Sequence, residues 1–182
     1  MKLAALASRL REEFFPVRDE FDQAHGTDTS GLVSLWHLRV CSPNKKFGIR
    51  YQPCDTAVFR AATEEVERSR TFIDLGCGKG RVLIMAHETG FQRVIGVEFS
   101  PMLAKIARRQ CPFAEVVTGD AARYVFPNDP LCIFMYNPFG PAVLNEAIAH
   151  LPGNSLVVYA APRHPVDLPT VRVGTMFRVY RT

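Results

Sequence analysis

The sequence predicts an α/β fold: a mostly parallel twisted sheet with helices on both faces and a C-terminal antiparallel strand. From Thr71 onward, short apolar runs alternate with amphipathic stretches, a texture typical of strands and helices in a parallel sheet. The chain has 182 residues, which suits one domain with one substantial core. Two β segments at 170–173 and 176–180, joined by Gly174 and Thr175, can pair as a closing hairpin.

The elements follow in chain order. A helical pattern over residues 1–22 and a turn-rich stretch over 23–50 predict an N-terminal helical or lid extension, residues 1–50, before the main domain over 51–182. Another helical pattern covers 55–70. Strands are predicted at 71–75, 93–98, 114–118, 131–136 and 155–160. Helices are predicted at 81–89 and 141–151, and a third begins at Ser100-Pro101, where Ser caps and Pro occupies the first helical position.

Composition predicts an ordinary globular protein. The apolar fraction is 47%, the charged fraction is 22% and the net charge is +4, which tolerates an acidic or nucleic-acid partner without requiring one. The five cysteines include no Cys-x-x-Cys pair and the histidines are scattered, so no metal site is expected. Without a signal-peptide pattern or a long apolar run, we expect a cytoplasmic protein that does not enter the membrane.

The strongest motif is the glycine-rich junction Asp74-Leu75-Gly76-Cys77-Gly78-Lys79-Gly80 between a buried strand and a helix. Glycines at such a junction let the backbone turn tightly and let a ligand approach closely. A dinucleotide fingerprint would place its third glycine where Arg81 stands, and a P-loop would need Gly-Lys followed by Ser or Thr. Neither pattern is present.

Polar residues also follow the next three strands. Glu98 ends the second strand, Asp120 follows the third and Asn137 follows the fourth, so with Asp74 four strand ends carry polar side chains. Parallel sheets bind ligands at this carboxyl edge, where a carboxylate such as Glu98 can accept hydrogen bonds from both ribose hydroxyls. The pattern indicates a nucleoside-binding site.

In order and spacing these motifs resemble those of the Rossmann-type methyltransferases that depend on S-adenosylmethionine (SAM), over residues 50–182. The resemblance implies SAM as cofactor, with Gly76, Cys77 and Gly78 holding its methionine moiety. It implies that Glu98 binds the ribose and that Phe99 packs on the adenine. Asp120 would accept from the adenine amino group, Ala121 would donate from its backbone, and Asp74 would orient the glycine loop or receive the SAM amino group.

The turn Asn137-Pro138-Phe139 is similar to the Asn-Pro motif of methyltransferases that modify nitrogen atoms. The Asn137 side-chain oxygen and the Pro138 carbonyl can accept hydrogen bonds from an NH₂ group, while the Phe139 ring can stack on a flat acceptor. Methyl transfer from an activated donor depends mainly on positioning. This chain has one proline followed by Phe139 and Gly140, a departure that puts base methylation in doubt.

The segment before the glycine loop carries two further aromatic residues. Tyr51, in Arg50-Tyr51-Gln52-Pro53, resembles a residue that closes over the cofactor in several nitrogen methyltransferases. For Trp36, the only tryptophan, a lid position is possible, but packing against the sheet is the expectation we favour.

The predicted activity is therefore SAM-dependent methylation of an amine, amide or base nitrogen. Its acceptor is unidentified among protein side chains, nucleic acids and small molecules. The alternatives are a non-catalytic binding module with this fold and, less favoured, a dinucleotide-dependent oxidoreductase. A purely structural interpretation of Asn137 stays open as well: the residue would belong to a proline turn that closes the strand and would have no catalytic role.

Overall fold

A computed structural model describes residues 18–38, 40 and 42–182 of the chain. Within them lies a seven-stranded sheet in the order β3-β2-β1-β4-β5-β7-β6. The strands are β1 (Thr71–Leu75), β2 (Val94–Glu98), β3 (Glu115–Thr118), β4 (Leu131–Tyr136), β5 (Leu156–Ala160), β6 (Thr170–Val173) and β7 (Phe177–Arg181). Strands β1 to β5 pair in parallel, and β7 pairs antiparallel with β5 and β6. The predicted fold class is confirmed.

Helices connect the strands and flank the sheet. They are α1 (Glu20–His25), α2 (Thr56–Thr63), α3 (Arg81–Glu88), α4 (Pro101–Gln110) and α5 (Pro141–Ala149). The start of α4 is as predicted, because the Ser100 side chain accepts from the Leu103 N–H and Pro101 occupies the first helical position. All five residues of β1 are buried, as a central strand covered on both faces requires.

Helix α2 is shorter than the predicted helix over 55–70. The Thr63 hydroxyl donates to the Phe59 carbonyl oxygen at 2.9 Å in its last turn. Beyond it the chain turns so that the Arg70 guanidinium donates to the Asn154 carbonyl at 2.6 Å. The turn after the helix is closed by the Val66 N–H, which donates to the Thr63 carbonyl at 3.0 Å, and apolar spacing alone does not reveal such a turn.

Two apolar clusters pack on the sheet. In one of them the Phe59 ring of α2 packs over strands β1 and β4, 6.1 Å from the Phe72 ring centroid and 5.5 Å from that of Phe134. The other cluster places α5 over the opposite residues of β1, β4 and β5. A core on both faces leaves the carboxyl edge of the sheet as the place where ligands can reach the backbone.

The helix expected over 1–22 lies mostly outside the described residues. Its described part, residues 18–22, contains the Asp19 cap and the first three residues of α1, which Gly26 ends at φ 66°. Two 3₁₀ turns follow, Leu35–His37 and Pro43–Phe47. Trp36 is 92% exposed, so the expectation that it packs against the sheet is wrong; nearby Leu38 is the buried residue.

Two further searches cover the described part of the chain. None of its helices is long and apolar enough to cross a membrane. No group of three or more His, Cys, Asp or Glu side chains within it could hold a metal ion.

Candidate functional site

The structure brings the four polar strand ends to one edge of the sheet. Because β2, β1 and β4 are neighbours in the sheet and β3 adjoins β2, Asp74, Glu98, Asp120 and Asn137 stand at the ends of adjacent strands. Between β1 and β4 the chain reverses its direction of strand addition. Parallel α/β sheets bind their ligands in the crevice at this position.

The glycine loop is tied to the end of β2. The N–H groups of Gly76 and Cys77 donate to the Val97 carbonyl at 2.8 and 3.1 Å. The Gly78 N–H donates to Glu98 Oε2 at 2.9 Å. Gly76 and Gly78 have φ values of 87° and 55°, which L side chains rarely adopt. Glycine is therefore required here by backbone conformation as well as by space.

Glu98 faces the glycine loop and lines a cavity beside it. Its side chain is 3% exposed, and its other oxygen, Oε1, accepts from the Ser100 N–H at 2.8 Å. Burial raises the pKa of Glu98 to about 7, although the N–H groups of Ser100 and Gly78 oppose the shift. The carboxyl predicted to hold a ribose thus titrates near neutrality.

Asp74 and Cys77 share this buried environment. Burial, followed by the charge of Glu98, raises the pKa of Asp74 well above its usual range. Burial likewise raises the pKa of the Cys77 thiol, and the neighbouring carboxylates add to the shift. A thiol held protonated is a poor nucleophile. Cys77 therefore acts here as a small side chain within the loop.

Residues 42–52, called the strap from here on, lie across the strand ends. At one end of the strap the Tyr51 ring covers Gly78, where an added Cβ would overlap the ring. The Tyr51 hydroxyl donates to the Thr29 carbonyl, which joins the strap to the segment before it. Tyr51 thus stands over the glycine loop, the place where the resemblance puts it.

The other end of the strap covers the position predicted for adenine. Gly48 lies against the Phe99 ring, since a Cβ on this glycine would be 2.9 Å from Phe99 Cζ. Asp120 Oδ2 accepts from the Ser42 hydroxyl at 2.6 Å and from Asn44 Nδ2 at 2.9 Å. The carboxylate expected to take an adenine amino group is therefore bonded to the chain's own side chains.

Two small cavities remain beneath the strap. One, of about 60 Å³, lies between Tyr51, Asp74 and Glu98. The second, of about 20 Å³, lies between Phe99 and Ala121 and also touches Asp120. Sites for molecules of cofactor size have volumes of roughly 300–1,000 Å³. The side chains have the chemistry that a nucleoside requires, but the strap fills most of the space.

The Asn137-Pro138-Phe139 turn divides two sides of the site. Asn137 has φ 44°, and its Oδ1 accepts from the Tyr159 hydroxyl at 3.0 Å. The Pro138 carbonyl accepts from the Ile49 N–H at 3.1 Å, so each oxygen keeps a second lone pair for another donor. Phe139 lines the cavity beside Phe99, Pro138 lines the one at the glycine loop, and Asn137 lines neither. The three residues of the motif therefore face different spaces.

A larger cavity of about 610 Å³, the acceptor cavity, opens beside Asn137. Its walls come from the strap, the end of β4 and the C-terminal loops, represented by Ile49, Arg50, Gln52, Tyr136, Asn137, Arg163 and Met176. It shares Ile49, Arg50, Gln52 and Tyr136 with the 60 Å³ cavity at the glycine loop. A molecule bound in it would thus adjoin whatever lies over that loop.

The sequence analysis did not predict the buried polar contacts that hold the segment before the strap. Arg81 is 7% exposed and donates to both carboxylate oxygens of Asp19 at 2.8 and 2.6 Å and to the Thr29 hydroxyl at 2.8 Å. Asp22, which is 0% exposed, accepts from the Thr29 hydroxyl and from two backbone N–H groups. The sequence showed only that Arg81 stands where a dinucleotide fingerprint has glycine. Arg163 carried no sequence signal.

Comparisons with known proteins find sequence similarity to methyltransferases. Residues 72–151 match the family model described as a methyltransferase domain. The chain is 26% identical over 167 residues to the ribosomal protein L11 methyltransferase of Dechloromonas aromatica, covering 82% of this chain and 55% of that protein. Over 99 residues it is 25% identical to the same-named protein of Burkholderia mallei, covering 50% of this chain and 33% of the relative. The chain thus spans about half, or less, of these relatives' length.

Solved structures of methyltransferases are also similar to this chain. An RNA methyltransferase from Salinibacter ruber, in complex with S-adenosyl-L-homocysteine, superposes with TM-score 0.55 at 26% identity, covering 71% of this chain and 91% of that chain. A TehB-like SAM-dependent methyltransferase from Corynebacterium glutamicum shares the fold, with TM-score 0.51, 18% identity and coverage of 71% and 87%. Residues 72–151 are therefore similar to a methyltransferase domain, and the chain shares its fold with SAM-dependent methyltransferases.

Proposed function

We propose that the chain transfers the methyl group of SAM to a nitrogen atom of an acceptor bound beside Asn137. The observation that carries this proposal is the junction of two cavities. The 60 Å³ cavity at the glycine loop and the 610 Å³ acceptor cavity share four lining residues, and Asn137 lines the larger of the two. A cofactor over the loop and an acceptor in the larger cavity would therefore be in contact.

The side chains around the loop suit each part of the cofactor. Glu98 offers acceptors to the ribose hydroxyls, and Asp120 offers one to the adenine amino group beside Phe99. Asp74 lies where a cofactor ammonium group would offset the unfavourable burial of its charge. Because the two cavities over these residues total far less than a cofactor needs, the strap has to move outward for binding.

When bound, SAM supplies a methyl group already activated by its sulfonium sulfur. Transfer would join the methyl carbon to the lone pair of the acceptor nitrogen, leave the C–S electron pair on sulfur as S-adenosylhomocysteine, and release the nitrogen's proton to solvent. Asn137 Oδ1, oriented by Tyr159, and the Pro138 carbonyl each keep a lone pair for an acceptor N–H. Holding that N–H directs the nitrogen lone pair at the methyl carbon, and such positioning supplies most of the catalysis.

Ligand binding tests the cofactor half of the proposal. At 100 times its dissociation constant, SAM or S-adenosylhomocysteine should stabilise the protein by about 2.7 kcal/mol, a rise in Tm of about 5–11 °C for a chain of this length. Glu98→Ala should lose this rise, and Glu115→Ala, an exposed carboxylate on the amino end of β3, should retain it. A rise with NAD(H) and none with SAM would favour the oxidoreductase alternative.

Methyl transfer tests the catalytic half. Wild-type protein with methyl-tritiated SAM should label a component of a cell lysate, and prior digestion with nuclease or protease assigns it to nucleic acid, protein or small molecules. Asn137→Ala should abolish labelling while SAM affinity stays within about threefold. The control is Asn154→Ala, because Asn154 also has a positive φ, 61°, but lies outside both cavities. SAM binding without any labelling would favour the non-catalytic module.

The names of the relatives leave the acceptor open, because one group is named for a ribosomal protein and the structural neighbour for RNA. We also propose that the protein is cytoplasmic. Fractionation of cells that produce the protein would test this location.

A further inference from the structure

The acceptor cavity carries a charge pattern that the cofactor does not explain. Two of the residues lining it, Arg50 and Arg163, are positively charged, and no Asp or Glu lines it among the described residues. The two arginines come from distant parts of the chain, the strap and the loop after β5. The fold, and not local sequence, brings their charges to one cavity.

Neither guanidinium is engaged by another side chain or carbonyl that the structure describes. Within the described residues, neither Arg50 nor Arg163 makes a side-chain hydrogen bond or an ion pair, whereas Arg70, Arg81 and Arg172 all do. The backbone N–H of Arg163 donates to the Tyr159 hydroxyl at 3.4 Å, which fixes the loop at that residue. Guanidinium groups bind carboxylate and phosphate oxygens through paired N–H donors.

The rest of the wall suits the body of a small molecule. Ile49 and Met176 contribute apolar surface, while Gln52 and Asn137 contribute amide groups. A volume of about 610 Å³ lies inside the range of about 300–1,000 Å³ found for small-molecule sites. Apolar walls with a few polar groups at set positions are typical of such sites.

We propose that the methyl acceptor is a small molecule with an oxyanion group, a carboxylate or a phosphate, which Arg50 and Arg163 bind while Asn137 holds the nitrogen to be methylated. The proposal rests on the function proposed above. It assigns Arg50 and Arg163 to substrate specificity. Arg50 also lines the cavity at the glycine loop, so its position depends on that of the strap.

A methionine inside the cavity provides a direct probe. Protein labelled with ¹³C at the methionine methyl groups is titrated with inorganic phosphate, with malonate and with glycerol, and the Met176 signal, assigned with Met176→Leu, is followed by NMR. Met102, 46% exposed on α4, is the internal control. Phosphate or malonate should shift the Met176 signal saturably, and the anion that does so identifies the oxyanion. Glycerol should not shift the Met176 signal. The Met102 signal should not respond to any of the three compounds.

Charge variants test the assignment to the two arginines. Arg163→Glu and Arg50→Glu should each weaken anion binding by about tenfold or more, as expected when a charge-assisted hydrogen bond is lost. Arg109→Glu, the same change on the exposed face of α4, should leave the affinity unchanged. An unshifted Met176 signal, or equal affinities in the wild type and both cavity variants, would overturn the proposal.

Two further measurements separate the alternatives. A short single-stranded RNA, compared at equal phosphate concentration, should bind no more tightly than free phosphate; tighter binding that shifts Met176 would replace the small molecule with RNA as the acceptor. SAM-dependent stabilisation is measured on the same samples. Failure of SAM to bind contradicts the methyltransferase proposal. SAM binding with no anion response at Met176 contradicts only the proposal that the acceptor carries an oxyanion group.

Discussion

The segment that precedes the strap is held by hydrogen bonds to one buried carboxylate, that of Asp22. The substitution Asp22→Asn measures how much these bonds contribute to stability. Asp22 Oδ1 accepts from the Thr27 hydroxyl at 2.7 Å and from the N–H and hydroxyl of Thr29 at 2.8 and 2.6 Å. Its Oδ2 accepts from the Ser30 N–H at 2.6 Å. Asparagine can keep the three bonds at Oδ1, but it then turns an NH₂ group towards the Ser30 N–H.

The cost of this change follows from burial and charge. Losing one charge-assisted buried hydrogen bond, together with the attraction to Arg81 at 3.8 Å, should lower the free energy of unfolding by about 3 kcal/mol. For a chain of this length the fall in Tm is about 6–12 °C. Differential scanning calorimetry measures it directly. Because Thr29 also accepts from Arg81 and Tyr51, the loss should extend to the strap.

Asp28→Asn is the matched control on the same loop. The Asp28 carboxylate is 39% exposed and, in the described part of the chain, bonds only to the Lys79 ammonium, at 3.2 Å, so its loss should cost less than about 1 kcal/mol. The reasoning is refuted if Asp22→Asn melts within about 1 °C of the wild type, or if the two variants lose equal stability.

The pH dependence supplies an independent check. Burial acts to raise the pKa of Asp22, but hydrogen bonds from Thr29 and its neighbours outweigh burial and hold that pKa well below its usual range. A depressed carboxyl pKa stabilises the folded state above the unfolded pKa, near 4, and that stability is lost as the pH falls towards the folded pKa. The stability difference between wild type and Asp22→Asn should therefore stay constant at neutral pH and narrow only below about pH 4.

Three further predictions concern the cofactor groove. Because burial raises the pKa of Glu98 to about 7, protonation below neutrality removes a ribose acceptor. SAM affinity, measured by calorimetry, should then weaken by up to about tenfold per pH unit, and the weak binding of Glu98→Gln should be independent of pH. Combined Ser42→Ala and Asn44→Ala changes free the carboxylate at the end of β3 and should speed SAM association in stopped-flow measurements; a slower rate would mean that these residues help to bind SAM. Gly78→Ala should lower Tm by strain at φ 55° and by overlap with Tyr51, and adding Tyr51→Ala should recover only the part due to overlap.

Much of the fold was predictable because strands and helix ends are encoded locally. Each of the seven strands lies within one residue of its predicted bounds, and α3 begins where the glycine loop ends. The polar ends of β1 to β4 were predictable for the same reason, since a parallel order places successive strand ends at one edge. The helix over 55–70 was overextended because the backbone turn after Thr63, closed by the Val66 N–H, leaves no mark on apolar periodicity.

The sequence by itself determined the elements, the glycine loop and the residue types at the strand ends, because each depends on a few neighbouring residues. Only the tertiary structure decided what lies over them: that Asn44 and Gly48 cover the position predicted for adenine, and that Arg50 and Arg163 share a cavity. Those contacts join residues far apart in the chain. Their energies depend on burial and distance, which spacing along a sequence does not specify.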